Sequence, residues 1–404
     1  MTIEVPRGFR FAGVHCGIKK NPQKEDFTLI DCPGGAAAAG VYTTNLVYAA
    51  PVAFDRPRTP AEKMRVVAVN SGNANACTGE RGLADAQQMA RLAAAAVGAG
   101  EQQALVMSTG MIGVFLPMDK VAAGATLAAG KLGTDEAAFL SAARGILTTD
   151  KSMKIAGRTL AVGGQTIHIA GMCKGAGMIG PRMATMLCVI TTDAALTSAA
   201  AQTALQAAVA DSFNCISVEG LMSTNDTVLL LASGAAGQEP GTRNQGPLTS
   251  TDLATFTDAL TTLCIELAKQ IPDDGEGASH LITLDVVGAK TREDAHRIAQ
   301  TMANSALVKT AISGADPNWG RIVSAAGYAG VPFDPAGLGL SINGHVLYKA
   351  GAPVAFDAKT VSTSIKSSRE TSLVLTLAEG TASVRFWTSD LNADYVRFNA
   401  DYST

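Results

Sequence analysis

Short apolar runs of strand length alternate with longer stretches of helical period along almost the whole chain, and this alternation restricts the fold more than any other feature. Residues 65–69 (RVVAV) read as a buried strand closed by the turn-rich segment 70–75. Residues 83–97 read as an alanine-rich helix, and 104–107 as a second strand ending at Ser108, Thr109 and Gly110. Residues 186–191 are a continuous apolar run of strand length, 196–209 have helical spacing, and 227–231 are strand-like. Leu253, Phe256, Leu260, Leu263 and Leu267 recur at three- and four-residue steps, the signature of an amphipathic helix. Residues 281–287 read as a strand and 292–308 as one helix, with Glu293 and Asp294 in its first turn. Residues 373–377 and 382–388 suggest a hairpin around Glu379 and Gly380. The class expected is α/β or α+β, with large sheets and covering helices. Residues 238–251 are the strongest surface-loop candidate and 334–351 a weaker one; no repeat or long linker is visible.

Composition narrows the function classes. The 404 residues are 47% hydrophobic and 17% charged, enough for a large core and too apolar for disorder. With 32 basic against 35 acidic residues the net charge is −3, which argues against a nucleic-acid or polybasic membrane contact. The N-terminus lacks the apolar region of a secretory signal. The nearest approach to a membrane span, around 183–210, is interrupted by Thr191, Thr192, Asp193, Thr197, Ser198 and Gln202. A cytoplasmic protein is expected. Seven widely spaced cysteines without a C-x-x-C pair read as buried small hydrophobes in a reducing compartment. The five histidines are scattered without an H-E-x-x-H pattern, so no metal site is expected.

The most informative stretch is 171–193, a glycine-rich loop holding Lys174 that feeds a buried strand. It matches neither the P-loop pattern, because Lys174 precedes Gly175 and Gly177, nor a dinucleotide fingerprint. By local pattern alone it is a loop entering the core.

Longer motifs in a fixed order add to this. They are 69–79 (VNSGNANACTG), 108–113 (STGMIG), 174–179 (KGAGMI), 183–187 (MATML) and 223–227 (STNDT). They continue with 274–278 (DGEGA), 304–310 (NSALVKT), 314–321 (GADPNWGR) and 399–404 (NADYST). Together they resemble the ornithine acetyltransferase / glutamate N-acetyltransferase family of arginine biosynthesis over nearly the full length. Two departures stand out: Leu221 and Met222 follow Glu219-Gly220 where the family shows an acidic-Gly-acidic run, and Arg182 replaces a smaller polar residue.

The resemblance implies an αββα sandwich of the self-processing, N-terminal-nucleophile type, α/β (α+β) in class. It implies self-cleavage between Ala184 and Thr185 into an alpha chain, 1–184, and a beta chain, 185–404, headed by the nucleophile Thr185. Acetyl transfer from N2-acetylornithine to glutamate then runs through an acetyl-Thr185 ester. Thr109 and Gly110 form the oxyanion hole, and Thr148, Lys174, Thr185, Glu276, Asn399 and Thr404 contact substrate. An α2β2 heterotetramer is implied, with no cofactor or metal; some members also use acetyl-CoA as a co-substrate. The rival readings are an aminopeptidase or amidohydrolase on the same scaffold, and an uncleaved binding protein. By local pattern Thr148 with Asp150 reads as a turn cap, and 273–276 as a solvated acidic loop.

Overall fold

Two long strands that bend set the architecture. The structure, a computed structural model, describes residues 2–162, 164–180, 186–237 and 248–401. In chain order the first unit runs β1 (Arg10–Val14), β2 (Phe27–Tyr42), α1 (Ala50–Asp55), β3 (Ala61–Asn73), α2 (Gly79–Ala96), β4 (Ala104–Met111), α3 (Met118–Ala129) and α4 (Glu136–Gly145). It continues with β5 (Lys154–Val162), β6 (Gln165–Lys174), β7 (Leu187–Thr192), α5 (Ser198–Ala210), β8 (Ile216–Ser217), β9 (Thr227–Ala232) and α6 (Ser250–Asp273). One hydrogen-bonded sheet holds the order β4-β3-β2-β9-β7-β6-β5, with β1 on the free edge of the first half of β2.

That sheet folds over on itself. The β2–β3 register is regular to Asp31↔Val66, breaks, and resumes at Ala36↔Met64. The break holds Pro33, Gly34 and Gly35; Gly35 has φ +78°, where a Cβ would lie 3.1 Å from the Lys63 backbone. A bulged Pro-Gly-Gly segment is a natural place for a strand to turn a corner. Ile30, Val67, Val69, Leu105 and Met107 of the first half then face Ala170, Met172, Leu187, Val189, Leu229 and Leu231 of the second in one buried core. Outside the first half, Val66, Ala68 and Val106 pack on Ala86, Met89, Ala90 and Ala93 of α2 and on Val121 and Ala125 of α3. Outside the second, Cys188, Ile190, Val228 and Leu230 meet Leu205 of α5 and Leu263 and Leu267 of α6. The layering is helix, sheet, sheet, helix, as the resemblance implies. Alanine-rich helices suit it, because small side chains let a helix lie close to a sheet.

The second unit comprises β10 (Leu281–Ala289), α7 (Arg292–Ala303), α8 (Ala306–Ser313), α9 (Trp319–Gly327), β11 (Gly339–Ile342), β12 (His345–Lys349), β13 (Ala352–Pro353), α10 (Ala358–Lys366), β14 (Glu370–Thr376), β15 (Ala382–Ser389) and α11 (Ala393–Asp401). Its sheet is ordered β13-β12-β11-β14-β10-β15-β8, so β8 stitches it to the sandwich through Ile216↔Trp387.

Several local expectations are corrected. The suggested hairpin does not form: β10 lies between β14 and β15, parallel to one and antiparallel to the other. The connection crosses the end of β10 at Gly288, whose carbonyl accepts from Glu379 and Gly380; a Cβ there would strike the Leu377 carbonyl at 2.1 Å. The helix expected over 292–308 is two, because Ser305 leaves helical geometry and caps α8 through Val308 N–H. Residues 334–351 hold β11 and β12 rather than a loop, and Ser250 and Thr251 open α6, while 238–247 lie outside the described residues. Lys174 ends a strand rather than sitting in a loop. Five cysteines are buried, but Cys16 is half-buried and Cys77 exposed. Among the described residues no helix is long and apolar enough to cross a membrane.

Candidate active site at the strand ends

At one end of the sandwich the two halves of the folded sheet bring their strand termini together. Thr109 and Gly110 lie near the end of β4; Lys174 is the last residue of β6 and pairs across to Leu187 at the start of β7. The Lys174 Nζ donates to Thr109 Oγ1 at 3.2 Å, linking the halves. Both side chains are buried. Burial pulls the Lys174 ammonium below its ordinary pKa, and Lys154 adds to this, while Asp150, Glu276 and Asp226 favour its charge. Lys174 is thus a buried group rather than a solvated one.

Gly110 has a specific reason to be glycine. Its φ is +133°, and a Cβ would fall 2.3 Å from the Gly72 carbonyl carbon and 2.4 Å from Asn73 N. The β3 and β4 ends meet backbone to backbone there, which only a residue without a side chain allows. Asn225 fixes the same ends, its amide donating to Ala74 O at 2.7 Å and Ser108 O at 2.8 Å.

Thr185 and Ala184 lie outside the described residues, as do Arg182 and Thr404. The next residue, Met186, is buried, and its N–H donates to Asp226 Oδ1 at 3.1 Å; its carbonyl accepts from Thr227 N–H. Asp226 is fully buried, and that burial raises its carboxyl well above the usual carboxylate range despite the Met186 bond. Its Oδ2 has no hydrogen-bond partner among the described residues.

Asp150 organises the other side. Its carboxylate accepts from Thr148 N–H at 2.9 Å, Gly175 N–H at 2.7 Å and Lys154 Nζ at 2.7 Å. Burial opposes its ionisation, but Lys174 and Lys154 together hold it well below the usual range. Lys154 also donates to Asp274 Oδ2 at 2.6 Å, so a buried cation joins the 148–154 and 274–276 segments. Residues 273–276 are therefore no solvated acidic loop: Asp274 pairs inward, and Asp273 pairs with Arg369. Glu276 donates its N–H to Ala176 O, packs its carboxylate against Gly177 and accepts from Asn399 Nδ2 at 3.1 Å. A Cβ on Gly177 would collide with that carboxylate at 2.5 Å.

Thr109 and Lys174 thus meet directly, Thr148 joins them through Asp150, and Glu276 and Asn399 form a second pair beside Gly177. Asp150, Lys154, Asp274, Asn225 and Glu219 carry the framework; none is assigned a site role from sequence, where Asp150 reads as a turn cap, Asp274 as part of an acidic loop and Glu219 as the flank of a departing run. Glu219 accepts from Ile179 N–H at 2.7 Å; burial pushes its carboxyl up to about 7, and Glu276 adds to this, though the Ile179 bond opposes it. Only Asn225, Asp226 and Asp274 lay inside quoted motifs. The departing Leu221 is exposed, and the Met222 carbonyl accepts from Asn45 Nδ2.

A buried lysine beside a hydroxyl and a glycine, with a carboxylate and an amide opposite, suits a small ligand bearing both carboxylate and ammonium groups. Known proteins resemble this chain over nearly its whole length. The ArgJ family model matches residues 10–404. The chain is 47% identical to the arginine biosynthesis bifunctional protein ArgJ of Rhodopirellula baltica, over 99% of this chain and 96% of that one. It is 46% identical to that of Symbiobacterium thermophilum, over 100% and 98%. A crystal structure of the argJ protein of Bacillus halodurans matches at 38% identity and TM-score 0.49, over 52% of this chain and 97% of the other. The chain belongs to the ArgJ family, an enzyme of acetyl transfer in arginine biosynthesis.

Proposed function

We propose that this enzyme cleaves itself between Ala184 and Thr185 and then moves an acetyl group from N2-acetylornithine to glutamate through an ester on Thr185. The observation that carries this reading is the joining of Lys174 to Thr109 beside the head of β7, where Met186 is tied to Asp226. A nucleophile heading a buried, hydrogen-bonded strand is held on a rigid element, which favours attack geometry.

In self-cleavage the Thr185 hydroxyl adds to the Ala184 carbonyl, the peptide C–N bond breaks, and an ester with a free Thr185 amine results. Water opens the ester, leaving chains 1–184 and 185–404. The α-amine, with an ordinary pKa of about 7.7–8.0, takes the hydroxyl proton in the transfer that follows. Thr185 attacks the acetyl carbonyl, ornithine departs with a proton, and the glutamate amine attacks the ester to regenerate the hydroxyl. One amide replaces another, so the exchange needs no energy source or cofactor. Acetyl-CoA as a second donor would enter at the same ester.

The oxyanion of each tetrahedral intermediate is received by Thr109 and Gly110. Because Lys174 donates to the Thr109 oxygen, the Thr109 proton is left for the oxyanion. The shared amino-acid head of both substrates is received by Lys174 on its carboxylate and Glu276 on its ammonium, with Asn399, Thr148 and Thr404 as polar contacts. An α2β2 heterotetramer in the cytoplasm completes the reading.

Intact mass under denaturing conditions tests it. Two polypeptides matching 1–184 and 185–404 are expected, and one uncut chain from Thr185→Ala. Efficient cleavage in that variant would sink the mechanism. Capture of the acetyl group by water in preference to glutamate would instead make the protein a hydrolase.

A further inference from the structure

Two motifs play no part in the chemistry above, residues 304–310 and 314–321, and both contribute lining residues to one cavity. It measures about 940 Å³ and opens between α7, α8 and α9. Arg297 lines it from the middle of α7 and Asn304 from the cap of that helix, Asn318 and Arg321 from the start of α9, and Ser324 and Tyr328 from further along it. No aspartate or glutamate is among its lining residues.

Its cations are uncommitted. The Arg321 guanidinium donates to the Leu307 carbonyl, at 3.2 Å, and to no carboxylate among the described residues. Arg297 has no ion pair among them. Its guanidinium lies near Gly330, where a Cβ would be 3.3 Å from Nη2. The nearby Asp316 is engaged by the Asn318 amide at 3.0 Å. Tyr328 is 85% exposed and offers a flat ring at the mouth.

We propose that this cavity binds an organic phosphate of nucleotide size. Two guanidiniums without carboxylate partners match phosphate oxygens, which they can grip in a bidentate manner. The Asn304 amide nitrogen and the Ser324 hydroxyl suit sugar and base edges, and the Tyr328 ring suits a planar base. The absence of any acidic lining residue sets the cavity apart from the amino-acid site, because an ammonium group would find no partner. The volume lies at the upper end for ligand pockets and far exceeds a free phosphate ion. The cavity also backs onto the segment that holds Ile179, in the glycine-rich stretch before residue 185. Asn304 Oδ1 accepts from Ser217 Oγ at 2.6 Å, a Cβ on Gly220 would press on the same amide at 2.9 Å, and Val218 and Gly220 both donate to Ile179 O.

The test is calorimetric titration of the full-length protein with ADP, with inorganic phosphate and with sodium chloride at matched ionic strength. Saturable ADP binding is expected, with inorganic phosphate at least about tenfold weaker. Arg297→Gln should weaken ADP at least about tenfold, Arg297→Lys less, and acetyl transfer without ADP should stay unchanged in both. No saturable ADP binding at millimolar concentration would overturn the proposal, as would binding undiminished in Arg297→Gln and in the Arg297→Gln/Arg321→Gln double variant. Equal affinity for inorganic phosphate would overturn the nucleotide size class.

Discussion

Lys174 Nζ donates to Thr109 Oγ1 at 3.2 Å, joining the last residue of one strand to the end of another in the opposite half of the folded sheet. The bond occupies a lone pair of the hydroxyl and leaves its proton free to point into the site. Thr109→Ala is expected to lower the acetyl-transfer kcat by about 10²–10³, the usual cost of one oxyanion donor, with little change in thermal stability. Thr109→Ser should retain most of the activity. Steady-state kinetics on the three proteins decides it, and full activity in Thr109→Ala would remove the residue from the chemistry.

Gly110→Ala should fail for a different reason. A Cβ at φ +133° meets the Gly72 backbone at 2.3 Å, and neither strand end can yield cheaply. A loss of about 1–3 kcal/mol in urea unfolding is expected, together with loss of activity. Unchanged unfolding with normal kinetics would mean the β3–β4 ends part readily enough to admit a methyl group.

Lys154 is buried between Asp150 and Asp274, and its removal strands two carboxylates. Lys154→Met is expected to cost about 3–5 kcal/mol, measured from the urea midpoint. Adding Asp274→Asn should recover part of the loss, because it removes one stranded carboxylate while Asp150 keeps Lys174 as a countercharge. The Asp150 carboxyl is depressed in the folded state. Its contribution is therefore complete above its unfolded value, about pH 4, and is lost as pH falls further.

Glu219 works with the opposite sign. Its folded carboxyl is raised to about 7 from 4.5, so the folded state holds the proton longer than the unfolded chain. Stability from this group falls as pH rises between those values and is level outside them, with a ceiling of about 1.4 kcal/mol per pH unit. Glu219→Gln should flatten that part of the stability profile. Chemical denaturation at pH 5 and 7 checks this, and an identical slope in the variant would show that another group is responsible.

How much of this was legible beforehand depends on the range of the interactions. Residues 65–69, 104–107 and 227–231 lie within strands, 186–191 lies within β7 but for Met186 just before it, and Leu253 to Leu267 lie within α6, because burial periodicity is local and survives in sequence. The family and its candidate site residues were also readable, since motif order needs no coordinates. Three-dimensional pairing was not. The run from 373 to 388 looks like a hairpin, yet β10, nearly a hundred residues earlier, lies between its strands. The fold-over of the sheet at Gly35, the backbone contact that requires Gly110, and the Lys154 bridge from Asp150 to Asp274 each join segments far apart in the chain. Sequence by itself determined the class of the elements with clear burial periodicity and the residues to suspect. Tertiary structure alone decided which strands are neighbours and which charges are buried together, because hydrogen-bond register and burial of charge are properties of the packed chain and not of any window within it.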